Sequence, residues 1–261
     1  MRLTALDKRN YVRNTGINTM SHRENLDTIK SILNDSYTKE DTKTVPKKND
    51  LTFGNTLKKM THVVVFYVDM RGSRKIIQDS TSFMSVKVHR AFLQAITYCV
   101  EKNGGHFRSF NGDGALAFFV GDDGATSAVT AAMQLKKYVM EINKIVEDKV
   151  SKKVDFGVGI GQGPVYVAKS GKRGDDSTKQ DLVWVGLPVY VAVELSDFAR
   201  SSSNVWISSA VKTSLDKQAK SSVLFDGDTG DSIWKKEPKD LKSLGSSTVY
   251  KTSYYFKLGL E

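Results

Sequence analysis

Two aspartates carry the residue type and the setting for shared chemistry. Asp69 closes the apolar run of VVVFYVDMRGSRK, and Asp113 lies inside the tight Asn111-Gly112-Asp113-Gly114. A pair of carboxylates on a rigid edge suits hard cations such as Mg²⁺ or Mn²⁺, which take oxygen ligands and keep positions open for phosphate oxygens. Two ions held in this way serve phosphoryl transfer. Gly72 and Gly112, close by, would let main chain approach a bulky anion. The local alternative is that Asp69 caps a helix and Asp113 fills a turn, since aspartate is common in both places. The elements that carry the two residues decide between these.

From His62 the run VVVFYV has the continuous β-branched and aromatic character of a strand covered on both faces. Over Phe83–Val100, the residues Val88, Phe92, Ala95, Ile96, Cys99 and Val100 recur at helical intervals, which predicts a helix with one buried side. Asn103-Gly104-Gly105 stops it. His106–Phe110 and Ala115–Val120 read as strands joined by a hairpin, with Asn-Gly as the turn signal. A second amphipathic helix follows from Ala128, Ala132, Leu135, Val139, Ile142 and Val146. Next come a glycine-punctuated strand over 154–168, a polar loop over 170–179, a short strand LVWV and a helix over 188–199. A strand VWIS and a last strand in TVYKTSYYFKL complete the chain. The order β-α-β-β-α-β with further units predicts an α+β, ferredoxin-like fold, an antiparallel-rich sheet with helices packed on one face. If the first three strands are neighbours, Asp69 and Asp113 meet at one end of that sheet. Residues 1–60 are polar and broken apart from one helix near Asn25–Leu33, and read as an arm preceding a main domain over 61–261.

A chain of 261 residues, 39% of them hydrophobic, suffices to bury one full core. No apolar run approaches the ~20 residues of a spanning helix. No secretion signal opens the chain, and the lone Cys99 cannot form an internal disulfide. A soluble, cytoplasmic protein with no membrane partner is expected. The net charge of +10 attracts polyanions. Its lysines, however, sit in dispersed pairs such as Lys47-Lys48 and Lys136-Lys137, the pattern of solvated faces rather than of a nucleic-acid groove. His62, His89 and His106 lack metal-ligand spacing. Gly157, Gly159, Gly161 and Gly163 open no helix, so they are not a dinucleotide fingerprint and instead relieve crowding in a strand.

Four stretches resemble the class III nucleotidyl cyclases over about residues 60–257: FYVDMRGS; FRSFNGDGALAFF; VDFGVGIGQGPVYV with DLVWVG; and LKSLG with YKTSYY. Within that family the chain looks most like the bacterial pyrimidine cyclases of the Pycsar antiphage system, which make cyclic UMP or cyclic CMP. The resemblance implies that Asp69 and Asp113, with the Met70 carbonyl, bind two Mn²⁺ or Mg²⁺ ions. It implies a nucleoside triphosphate substrate cyclised by its own 3′-hydroxyl, and head-to-tail homodimers with composite active sites. A separate effector would respond to the cyclic product. The candidate nucleotide contacts around the first aspartate are Tyr67, Arg71, Gly72, Ser73 and Arg74. Further along the chain they are Arg108, Ser109, Val183 and Lys242, the last matching a lysine that grips the triphosphate tail.

Departures from the family pattern bear on substrate and competence. Purine cyclases read the base with a lysine where this chain has Ser109, and with an Asp or Thr where it has Val183. Neither can reproduce purine readout, which favours UTP or CTP. The family's Asn-x-x-x-Arg pair falls on Tyr190 and Glu194, placing an acid where a cation would offset phosphate charge. Arg74, Arg108 and Arg200 are the candidates to replace that cation. A noncatalytic nucleotide-binding protein or degenerate cyclase partner, and a purine cyclase, stay open as alternatives. A diguanylate-type enzyme fits less well, because the hairpin reads Asn-Gly-Asp-Gly and not Gly-Gly-Asp/Glu-Glu-Phe.

Overall fold

The computed structural model describes residues 20–150, 153–174 and 176–256. By its contacts the chain divides into two compact units after Thr38. In the first, helix α1 spans His22–Asn34 and is started by a capping box: the Ser21 hydroxyl accepts from the Glu24 N–H, and the Glu24 carboxylate accepts from the Ser21 N–H.

The second unit begins at Lys39, earlier than the boundary at residue 60 expected from composition. The reason is local. Strand β1 (Thr38–Thr42) pairs with the strand that follows it, and Val45 and Leu51 are buried. The chain then forms β2 (Thr56–Arg71), α2 (Ser73–Asp79), α3 (Ser82–Lys102), β3 (His106–Asn111), β4 (Gly114–Phe119) and α4 (Gly124–Val146). It continues through β5 (Asp155–Gly171), β6 (Gln180–Val185), α5 (Leu187–Phe198), β7 (Val205–Ser208), α6 (Ser209–Gln218), β8 (Lys235–Leu241) and β9 (Gly245–Thr252). The last strand ends six residues before the end of the TVYKTSYYFKL segment, whose final Lys257 and Leu258 lie outside the described residues.

Among the described residues, nine strands make one sheet in the order β3-β4-β2-β5-β7-β9-β8, with β1 also on β2 and β6 also on β5. The ladders along that order are antiparallel except for the parallel β5–β7 pair. β2 is an interior strand of this arrangement, between β4 and β5, and both its faces are covered, which is why its sequence is apolar on consecutive residues. Val64, Phe66, Val68 and Met70 enter the larger core with α3 and α4, through residues such as Phe92, Ile96, Val129 and Leu135. Val63 and Val65 face the other way, into a smaller core with Phe118, Val165, Val167 and Ala192. Each such side chain taken from water contributes roughly 1.5–3 kcal/mol.

The helices do not all share one face. α3, α4 and α6 cover one side, and α5 lies on the other. The glycines of β5 explain this. A Cβ at Gly157, Gly159 or Gly161 would come within 2.4 Å of the Ser196 oxygen, 1.9 Å of the Ala192 oxygen or 2.5 Å of the Pro188 oxygen. The main chain of α5 therefore rests directly on bare strand, so the crowding expected at these glycines is that of a helix. α5 is fixed laterally by Val191 and Leu195 against Trp206, Leu241 and Val249. Among the described residues no helix is long and apolar enough to cross a membrane.

Candidate active site

The α5 face of β2 opens towards the strand's end. Val63 and Val65 are fully buried there, but Tyr67, Asp69 and Arg71 are half-buried, while Val68 and Met70 behind them stay in the core. Strand alternation stacks the three polar side chains in one column. Val68 pairs with Ala115 on β4, and Asp69 with Gly157 on β5, so the β3–β4 turn sits beside the end of β2. In that turn Asn111 pairs with Gly114, leaving Gly112 and Asp113 as the two loop residues. Gly112 has φ 65° and Asp113 is not left-handed, the pattern of a type II′ turn with glycine first. Gly114 lets the turn close onto this column: a Cβ there would crowd the Val68 carbonyl at 2.9 Å, the Tyr67 hydroxyl at 3.0 Å and Asp69 Oδ1 at 3.1 Å.

The electrostatics agree with this convergence. Burial first, and then the charge of Asp113, push the Asp69 carboxyl above the ordinary carboxylate value; Arg71 opposes them. Arg71 Nη1 lies 3.2 Å from Asp69 Oδ2 and 3.4 Å from Asp197 Oδ1, and Nη2 donates to the Ser196 carbonyl. Burial likewise holds the Tyr67 phenol above its usual range, and its oxygen accepts from Asn111 Nδ2 at 3.5 Å. Two half-buried carboxylates of mutually unfavourable charge fit hard divalent ions. Met70 buries its side chain in the core and leaves only its main chain at the rim. Among the described residues no three His, Cys, Asp or Glu side chains are grouped to hold a metal, so ions here would be held by Asp69 and Asp113 with main-chain or substrate oxygens completing the shell.

Around this rim Gly72 is left-handed (φ 72°) and caps α2, whose first residues are Ser73, half-buried, and Arg74, exposed. Ser109 is half-buried on β3 opposite Leu116. Arg108, expected beside it as a nucleotide contact, is placed elsewhere. A bulge between Phe107 and Ser109 turns it out of register. Its guanidinium donates to the carbonyls of Pro46 at 2.9 Å and of Val45 and Phe107 at 2.7 Å. It tethers the segment before β2 to the sheet edge. Arg200 is similarly engaged, donating to the carbonyls of Asp197 and Ala199, both at 2.6 Å. Of the cations offered to replace the one missing at Glu194, only Arg74 has no hydrogen-bond or ion-pair partner among the described residues.

Val183 and Lys242 are not brought to the rim. Val183 is exposed on β6, which pairs with the far half of β5. Lys242 is exposed in the β8–β9 turn, and the register through β9, β7 and β5 puts that turn at the sheet end opposite Asp69. A cavity of about 570 Å³ is lined by Val183 with Leu116, Leu182, Trp184 and Val189, and by the polar Lys179, Gln180 and Asp181. Ser109 stands beside its Leu116 wall. On α5, Tyr190 is exposed, and Glu194 is half-buried with Oε2 lacking a partner. Asp197 is a functional candidate that the sequence reading missed. The available signal was its spacing, seven residues from Tyr190 and three from Glu194, on one helix face.

Similar proteins place the chain. It is 27% identical over 232 residues to a uridylate cyclase of Xanthomonas perforans, covering 87% of this chain and 94% of that one. It is 31% identical over 185 residues to a uridylate cyclase of Gulbenkiania mobilis, covering 66% and 69%. It superposes on the crystal structure of the adenylyl cyclase CyaB from P. aeruginosa with a TM-score of 0.63, at 17% identity over 78% of this chain and 99% of that one. The chain belongs to the class III nucleotidyl cyclases. The cyclase also superposes on the guanylyl cyclase Cya2 with a TM-score of 0.61, at 17% identity over 77% of this chain and 96% of that one. No protein-family model matches it.

Proposed function

We propose that this cyclase converts a pyrimidine nucleoside triphosphate, UTP or CTP, into its 3′,5′-cyclic monophosphate and pyrophosphate. The carrying observation is that Asp69 and Asp113 converge at one rim in a chain whose curated relatives are named uridylate cyclases. In the reaction, the ribose 3′-oxygen bonds to the α-phosphorus, the bond from that phosphorus to the bridging oxygen breaks, and pyrophosphate leaves; the hydroxyl proton passes to solvent. The nucleophile belongs to the substrate, so the protein's task is to position it and to offset charge. Asp69 and Asp113 would hold two Mg²⁺ or Mn²⁺ ions, which supply Lewis-acid activation of the hydroxyl and charge compensation at the phosphates. The stiff, core-packed end of β2 fixes the Asp69 carboxylate and, through alternation, Tyr67 and Arg71 beside it. Arg74, in the first turn of α2, is a cation without a side-chain partner among the described residues.

The site is completed by a second copy in a head-to-tail homodimer. Support comes from the separation of Lys242 and Val183 from the rim within one chain. A stripe of exposed apolar residues also runs from β6 onto α5: Val183 is 43% exposed, Val185 47%, Leu187 54% and Tyr190 56%. Such a surface is costly to leave in water. The cavity lined by Val183 offers a base pocket with amide and carboxylate groups in place of the purine-reading lysine. The product would act as a second messenger in antiphage defence through a separate effector. A noncatalytic role remains the competing function because of Glu194. Incubating the protein with Mn²⁺ and each of UTP, CTP, ATP and GTP, then separating products by chromatography, distinguishes them. Cyclic UMP or cyclic CMP is expected; a purine product contradicts the substrate, and nucleotide binding without any product supports the noncatalytic role.

A further inference from the structure

Asp197 stands outside the machinery assigned above. It is an exposed residue of α5, yet its Oδ1 lies 3.4 Å from both Nη1 and Nη2 of Arg71, while Nη1 is 3.2 Å from Asp69 Oδ2. One guanidinium nitrogen is therefore shared between a carboxylate on β2 and another on α5. Nη2 donates to the Ser196 carbonyl, and this path to the helix exists because Gly157 has no side chain. A Cβ there would sit 3.2 Å from Nη2 and 2.4 Å from the Ser196 oxygen. Arg71 Nε is buried without an acceptor, so the present seating leaves one donor unsatisfied.

The charge balance of this cluster changes when divalent ions bind. Without them, Arg71 offsets the charge of Asp69. With them, a guanidinium at the same carboxylate repels the incoming cation, and it needs another anion. We propose that Asp197 is a positioning residue of the metal site: it draws Arg71 off Asp69 and so frees that carboxylate for the cation. The proposal rests on the metal site described under the proposed function. Asp197 is not a third ligand in this arrangement, since among the described residues no three such groups are placed to hold an ion together. The exchange requires no main-chain movement, because the guanidinium already touches both acids.

The test is Mn²⁺ binding by equilibrium dialysis with 3′-deoxy-UTP at equal concentration on both sides of the membrane; this analogue lacks the attacking hydroxyl, so nothing turns over. Asp197→Asn is expected to raise the half-saturating Mn²⁺ concentration about two- to fivefold, the loss of one exposed ion pair. Asp197→Glu should stay near wild type. Arg71→Gln should bind Mn²⁺ more tightly, and adding Asp197→Asn to it should have no further effect, the signature of a residue acting through the arginine. Unchanged binding in Asp197→Asn, or equal weakening with and without Arg71→Gln, overturns the proposal. Asp113→Asn separates it from the metal site itself. If Asp113→Asn binds like wild type, the metal site is wrong and this inference falls with it. If Asp113→Asn weakens binding and Asp197→Asn does not, the site stands and the role of Asp197 is refuted.

Discussion

Gly159→Ala perturbs the contact that sets the height of α5 above the sheet. A methyl at this position would begin 1.9 Å from the Ala192 oxygen and 2.5 Å from the Ser196 nitrogen, both main-chain atoms of α5 that no rotamer change can move aside. To restore ordinary contact at ~3.5 Å the helix must rise by about 1.5 Å. Overpacking of this kind costs roughly 1–3 kcal/mol. In a domain of this size that lowers the melting temperature by roughly 2–12 °C. The same helix carries Ser196 and Asp197, which seat Arg71 beside Asp69. A displacement of about 1 Å in positioning groups can reduce turnover ~10²-fold, so the activity loss should exceed what the stability loss explains at 25 °C. The assay is thermal melting by circular dichroism together with initial rates on UTP and Mn²⁺. Gly227→Ala is the control, because its Cβ meets no heavy atom within 4 Å. A Gly159→Ala protein that melts and turns over like wild type would refute direct packing of α5 on β5.

Three further outcomes follow from the same geometry. Asp69 has a folded-state pKa above its ordinary value, so the stability it contributes is fully present below that ordinary value and is lost as pH rises through the folded one. Asp69→Asn should therefore raise the melting temperature of the metal-free protein at neutral pH, with the gain shrinking towards acid; a gain that grows towards acid would contradict the assigned cause. Arg108→Ala removes three carbonyl partners of one side chain and should lower the melting temperature while leaving KM for UTP within about twofold. A large rise in KM with unchanged stability would return Arg108 to the nucleotide site. Leu187→Asp, at a position 54% exposed in the single chain, should leave the monomer folded but shift sedimentation towards monomer and lower activity more at low protein concentration.

Much of the site-bearing half of the fold was legible because burial there is one-sided or complete. β2 reads as a strand since both its faces are covered, and α3 and α4 read as helices since each has one apolar side. The Asn111-Gly112 signal marked the hairpin, although its two loop residues are Gly112 and Asp113, and with the hairpin came the neighbourhood of Asp69 and Asp113. The elements that escaped have weak apolar patterns for physical reasons. β8, KKEPKDL, buries only Leu241 as an edge strand, and α6 buries only Val211 and Leu215. Arg108 misled because a one-residue bulge redirects a side chain without a sequence mark. The Arg71–Asp197 contact joins residues 126 positions apart, and only the glycine-bared surface of β5 lets them meet.

The convergence of the two aspartates is tested most directly by initial rates on UTP with Mn²⁺ for the wild-type protein and for Asp69→Ala and Asp113→Ala, each verified as folded by its melting curve. Cyclic product from the wild type and a loss of at least about 10³-fold in both variants is the predicted result. Undiminished product formation by either folded variant would contradict it.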